Sequence, residues 1–161
     1  MGKRIIVEPE LCTGCVICAQ VCSLTKTRTC NPTRARIRII DWELDGATVP
    51  VVCQDCAEPV CMTCCPSGAI GQDPQSGLVG IDKELCTNCR TCARVCPYAG
   101  PVWDPVERQV FLCDHCDGRP ACVPSCPTGA LAYGEVEDDA GGVRRRGMAA
   151  ARKSLIRLAG V

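Results

Sequence analysis

Residues 53–96 decide the fold. They open with Cys53-Gln-Asp-Cys56-Ala-Glu-Pro-Val-Cys61-Met-Thr-Cys64-Cys65-Pro66 and close with Cys86-Thr-Asn-Cys89-Arg-Thr-Cys92-Ala-Arg-Val-Cys96-Pro97. Each run crowds three cysteines onto one loop and sets a fourth, followed at once by proline, three residues further on. Three thiolates on a tight loop can hold three irons of a cubane, and the N–H groups of that loop can face its sulfides and offset their charge. The fourth cysteine lies one helical step beyond. The proline after it has a fixed φ and no N–H, and turns the chain away.

Between the runs, Ala69 and Ile70 form a short strand, Asp73-Pro-Gln-Ser-Gly77 a turn, and residues 78–81 a second strand. Run, hairpin and run follow the layout of a two-cluster bacterial ferredoxin, in which the fourth cysteine ligates the other cluster.

The same grammar extends outward. Residues 4–7 read as a strand leading into Cys12-Thr-Gly-Cys15-Val-Ile-Cys18-Ala-Gln-Val-Cys22, where Ser23 replaces the proline. A basic stretch with Cys30 follows. Then the alternating Ile37-Arg-Ile-Ile-Asp-Trp-Glu-Leu folds at Asp45-Gly46 against residues 48–52. On the other side, Val102 and Trp103, a turn at Asp104-Pro105 and a strand over 109–112 lead into Cys113-Asp-His-Cys116-Asp-Gly-Arg-Pro-Ala-Cys122-Val-Pro-Ser-Cys126-Pro127. The chain is an internal duplication: Leu11-Cys-Thr-Gly-Cys matches Leu85-Cys-Thr-Asn-Cys, and Cys65-Pro-Ser-Gly-Ala-Ile matches Cys126-Pro-Thr-Gly-Ala-Leu.

Four runs of four use 16 of the 18 cysteines, enough for four 4Fe-4S clusters, and leave Cys30 and Cys64. Cys65 is preferred to Cys64 as ligand, because it keeps three intervening residues and stands before proline. Cys30 is in register with no run and reads as a plain thiol. His115 lies inside a ligand loop that already has its cysteines, so it is expected to be a non-ligand and a local tuner of potential.

Such cysteine density in a short chain usually means a disulfide scaffold. The cysteines here are too crowded for independent staples, and the N-terminus has no apolar export segment. Zinc sites usually come as two separated Cys-x-x-Cys pairs rather than as three cysteines on one loop. No apolar run approaches the roughly 20 residues that span a bilayer, and Ile6 breaks the lipidation pattern. A soluble, cytoplasmic protein is expected. Formal net charge is zero, but residues 143–161 carry Arg144, Arg145, Arg146, Arg152, Lys153 and Arg157 without an acid, leaving 12 basic against 18 acidic residues elsewhere. Five aromatic residues are too few for stacking platforms on nucleic acid.

These runs resemble the four-cluster, double-ferredoxin iron–sulfur subunits of molybdenum and tungsten pterin oxidoreductases, hydrogenases and carbon monoxide dehydrogenases, over roughly residues 3–135. The segment Asn31-Pro-Thr-Arg-Ala-Arg-Ile-Arg-Ile looks most like the small subunits of tungsten aldehyde oxidoreductases. Spacing alone permits the first run to pair with the second and the third with the fourth; the resemblance implies nesting instead. One cluster then takes Cys12, Cys15, Cys18 and Cys126, and its mate Cys113, Cys116, Cys122 and Cys22. The inner pair takes Cys53, Cys56, Cys61 and Cys96, then Cys86, Cys89, Cys92 and Cys65. The strand at residues 4–7 would then pair with one after Cys126.

The expected architecture is α+β: two bacterial-ferredoxin-like modules of short helices and hairpins over residues 1–135, then a linker and a basic amphipathic helix over 136–161. Val143 to Ala159 has helical spacing, with Met148, Ala151, Leu155 and Leu158 on one face, suited to docking on a catalytic subunit or on another copy of the chain. The expected function is electron transfer between a catalytic subunit and an acceptor of flavin or ferredoxin type, without catalysis by this chain alone. A formate dehydrogenase, hydrogenase or carbon monoxide dehydrogenase is the alternative partner. A free-standing polyferredoxin and a structural or sensing metal protein are the alternatives of other classes.

Overall fold

The computed structural model describes residues 2–42 and 47–135 of the chain. The turn expected at Asp45-Gly46 and the helix expected over 143–159 lie outside the described residues. Among the described residues eight strands form four two-stranded antiparallel sheets: β1 (Lys3–Val7) with β8 (Leu131–Glu135), β2 (Arg38–Trp42) with β3 (Ala47–Val51), β4 (Ile70–Gln72) with β5 (Val79–Ile81), and β6 (Val102–Asp104) with β7 (Gln109–Phe111). The three inner sheets are hairpins between consecutive cysteine runs. The fourth joins the two ends of the described chain, with Val7 opposite Leu131 and Lys3 opposite Glu135, and the Glu8 N–H continues it to the Ala130 carbonyl at 2.9 Å.

Turn chemistry sets the hairpins. Asp73 Oδ1 accepts from the N–H groups of Gln75 and Ser76, and Asp104 Oδ1 from those of Val106 and Glu107. In each case a short side chain mimics the backbone of a turn next to a proline.

Helices are short where proline follows the fourth cysteine. α2 (Val60–Thr63) stops ahead of Cys65-Pro66, and α3 (Thr91–Val95) ahead of Cys96-Pro97. The first run has Ser23 in place of proline, and there α1 (Ile17–Thr27) continues for 11 residues to a left-handed cap at Arg28, whose N–H bonds the Leu24 carbonyl. Ser23 is completely buried; its hydroxyl donates to the Gln20 carbonyl and accepts the Asn31 N–H. The absent proline therefore lengthens the helix, and the hydroxyl ties it to the chain returning beneath.

The core is small. Ile5, Ile37, Val52, Val79 and Val110 are its fully buried large apolar side chains, and cysteines fill much of the remainder. Arg34, on a single 3₁₀ turn (Pro32–Arg34), crosses to the β6–β7 hairpin, where Nε meets buried Asp104 at 2.8 Å and Nη2 meets Glu107 at 2.9 Å. That buried ion pair fixes the basic segment after the first run to the hairpin before the fourth.

Candidate metal centre

One backbone feature recurs in all four runs. The residue before the second cysteine is left-handed: Gly14 at φ +70°, Asp55 at +43°, Asn88 at +57° and His115 at +49°. Glycine adopts this conformation freely, and Asn, Asp and His are the side-chain-bearing residues most tolerant of it. Successive N–H groups then point to one side and make an anion-binding concavity. The side chains there also anchor the loops, since Asp55 Oδ1 accepts the Val79 N–H at 2.9 Å and Asn88 Oδ1 the Val110 N–H at 3.1 Å.

Three cavities are each lined by four cysteines. Cys12, Cys15 and Cys18 share one with Cys126; Cys113, Cys116 and Cys122 share another with Cys22; Cys86, Cys89 and Cys92 share a third with Cys65. Cys56 and Cys61 each have Cys96 as their strongest thiol neighbour. Among the described residues no three Cys, His, Asp or Glu side chains converge as a single metal ion would require; a cubane does not ask for this, because each thiolate binds a different iron. Cys30 and Cys64 are exposed and line none of these cavities.

Burial pushes several thiols up: Cys113 and Cys122 to about 12, and Cys18 and Cys61 to about 11. Neighbouring thiols add to this, so thiolates at these positions need a bound cation to stabilise them. Three thiols move the other way. The Thr91 hydroxyl and N–H lower Cys89. At Cys65 and Cys126 burial acts upward but is outweighed by the Ser67 and Thr128 hydroxyls and by backbone N–H groups. In all three the hydroxyl belongs to the second residue after the cysteine, 3.3–3.7 Å from sulfur.

Backbone donors reach the other fourth cysteines. The Arg36 N–H lies 3.3 Å from Cys22 Sγ, and the Gly100 N–H 3.3 Å from Cys96 Sγ. Arg36 also lines the Cys22 cavity, and its Nη1 is buried without a hydrogen-bond partner. A buried cationic donor with no hydrogen bond, 3.7 Å from Asp114 and beside four thiols, fits a negatively charged group in that cavity. Asp55, Arg36 and the hydroxyls of Ser67, Thr91 and Thr128 escape a reading of cysteine spacing alone. Their signals are the turn-tolerant residue before each second cysteine and the Ser or Thr two places after a cysteine.

Four-cysteine cavities, left-handed ligand loops and ferredoxin-like hairpins define an iron–sulfur protein of the α+β ferredoxin class, with 4Fe-4S clusters as its cofactors. Residues 44–136 match the 4Fe-4S dicluster domain, and the chain belongs to that family. It is 42% identical over 138 residues to the beta subunit of NADH-dependent phenylglyoxylate dehydrogenase from Aromatoleum evansii, covering 83% of this chain and 31% of that one. The chain thus spans about a third of that relative's length. It is 34% identical to the polyferredoxin-like subunit of the Pyrococcus furiosus aliphatic sulfonate oxidoreductase, over 76% of this chain and 70% of the relative. With the B subunit of the Escherichia coli anaerobic dimethyl sulfoxide reductase it shares 31% identity, over 82% of this chain and 73% of the relative. Among solved structures, the BamBC active-site complex of benzoyl coenzyme A reductase with zinc has the same fold, with a TM-score of 0.50 and 24% identity over 96% of this chain and 90% of that one. Among the described residues no helix is long and apolar enough to cross a membrane.

Proposed function

We propose that this chain is the electron-transfer subunit of an oxidoreductase complex and carries four 4Fe-4S clusters. Cys12, Cys15, Cys18 and Cys126 hold the first; Cys22, Cys113, Cys116 and Cys122 the second; Cys53, Cys56, Cys61 and Cys96 the third; Cys65, Cys86, Cys89 and Cys92 the fourth. The observation that carries this reading is the sharing of cavities, since each of the three described takes three cysteines from one run and the fourth from another. The subunit names of the similar proteins support it.

Bound, a 4Fe-4S cluster accepts and returns one electron at a time. The chain's own residues supply the rest. The four thiolates of each set would hold one iron each, leaving none open to substrate. The left-handed loops would turn N–H groups toward the bound cluster, and the short hairpins keep the sets close together. Cys122 lies within electrostatic reach of Cys18, and Cys53 within that of Cys113, while α2 of the Cys53 run packs on α3 of the Cys86 run; these neighbours support a row of four sets. Cys15 and Cys89, in the first and last sets of that row, are exposed and mark where electrons enter and leave.

The catalytic partner we favour is a tungsten-pterin aldehyde oxidoreductase, on the strength of the Asn31–Ile39 segment, with a flavin or ferredoxin-type subunit as acceptor. Anaerobic purification from the source cells tests the assignment. About 16 irons per chain, reversible reduction and a co-purifying large subunit are expected; zinc in place of iron, or clusters that cannot be reduced, would defeat it.

A further inference from the structure

The two middle sets of cysteines sit in opposite electrostatic surroundings. Asp55 is 3% exposed and fixed by the Val79 N–H, and its Oδ1 lies 3.8 Å from Cys53 Sγ. Its Oδ2 faces Nε2 of His115, itself 4% exposed, at 3.0 Å but without the alignment of a hydrogen bond, and neither atom has another partner. Tyr133 packs edge-on to the His115 ring at 5.5 Å and closes the site. A buried carboxylate, in the loop of one set, thus meets an imidazole from the loop of the next. Arg4 acts on Cys56 in the opposite sense to Asp55.

Across this joint the balance reverses. The Cys22, Cys113, Cys116 and Cys122 cavity is lined by Lys26, Arg36 and Asp114. Lys26 meets Asp114 at 2.7 Å and Arg36 meets it at 3.7 Å. Two cations against one carboxylate leave a net positive charge, and Arg36 Nη1, buried without a hydrogen bond, belongs to it.

A negative charge beside a cluster opposes its uptake of an electron, and a positive charge favours it. We infer that Asp55 on one side and the Lys26–Arg36 pair on the other build a potential step into the middle of the chain, with the Cys113 set easier to reduce than the Cys53 set. The inference rests on the ligand sets proposed above. It makes electron passage downhill across this joint, from the Cys53 set to the Cys113 set. Asp55, Lys26 and Arg36 are positioning residues that act on clusters through their charge.

The test is an anaerobic redox titration followed by EPR on the full chain, with iron and sulfide measured on every sample. Resonances are assigned to the two middle sets by their loss in Cys56→Ser and Cys116→Ser. The wild-type Cys113 set should have the higher midpoint potential. Asp55→Asn keeps the acceptor for the Val79 N–H and removes the charge, so the Cys53-set potential should shift upward with iron content unchanged. Lys26→Met should shift the Cys113-set potential downward. A reversed order in the wild type, or an unshifted potential in fully loaded Asp55→Asn, overturns the inference. If Asp55→Asn fails to load its clusters, Lys26→Met decides alone, and no downward shift overturns it. Fewer than 16 irons per wild-type chain would overturn the four-cluster reading, and this inference with it.

Discussion

Cys18 and Cys126 line one cavity although they come from opposite ends of the described chain. Pairing of β1 with β8, in which Val7 stands opposite Leu131, brings them there. Cys126→Ser should therefore injure the set at Cys12, Cys15 and Cys18, and leave the set at Cys86, Cys89 and Cys92 intact. EPR of this variant should match Cys15→Ser. A match to Cys89→Ser would assign Cys126 to the neighbouring run instead.

Gly100 leaves little room for a side chain. A Cβ there would lie 3.0 Å from the Cα of Cys53 and 3.4 Å from its Cβ, both tightly held atoms. The same residue donates its N–H to Cys96 Sγ. Gly100→Ala should displace two cysteines of one set at once, reducing occupancy of that cluster alone. Iron analysis with EPR should show the loss of about one cluster's worth of signal, and full occupancy of all sets would contradict it.

How far this site is legible in the sequence depends on the residue. The hairpins can be read because Asp73, Asp104 and their prolines mark turns between short apolar strands, and the structure has those hairpins. The length of α1 is hidden, because Ser23 reads only as a missing proline; its role depends on the Gln20 carbonyl and the Asn31 N–H, neither of which spacing reveals. His115 can be singled out, but its partner cannot: Asp55 lies 60 positions earlier, and the two meet only because their loops fold face to face. Local turn chemistry is written in neighbouring residues, whereas charge placement depends on contacts far apart in the chain.

Ile5 is 2% exposed and lines the Cys22 and Cys113 cavity from β1. Ile5→Ala should cost about 3 kcal/mol through lost burial and the cavity left behind. Because that cavity adjoins four thiols, the clusters should also bleach faster on heating. Denaturant unfolding followed by circular dichroism checks the first effect, and the decay of cluster absorbance checks the second.

Asp104 is held below the usual carboxylate range. Burial acts upward, but the Glu107 N–H, Arg34 and the Val106 N–H outweigh it. Its folded pKa thus lies below the unfolded value of about 3.9. A depressed carboxylate contributes its full stability above the unfolded pKa and loses it as pH falls through the folded one. Asp104→Asn should be less stable than wild type at pH 7, and the difference should shrink as the pH falls below about 4. Paired anaerobic denaturation curves read this directly; a gap that stays constant with pH would show that the charge of Asp104 is not involved.

Removal of the clusters should unfold the chain. Among the described residues the buried core counts Cys18, Cys22, Cys53, Cys61, Cys92, Cys113 and Cys122 alongside a few fully buried aliphatic side chains, and the four small sheets have two strands each. A lone two-stranded hairpin is marginal in water. Burial already pushes the thiols up, so the cluster-free loops would hold desolvated thiols around empty space, with Arg36 Nη1 buried opposite them. Cluster binding must therefore supply much of the folding free energy, as metals do in other small domains. Protein stripped of iron by chelation under reducing, anaerobic conditions should lose most of its ordered circular dichroism signal and show no cooperative thermal transition. Iron and sulfide should restore both, in parallel with cluster absorbance. A cooperative, native-like melt of the iron-free chain would show that its apolar residues are enough to hold the fold.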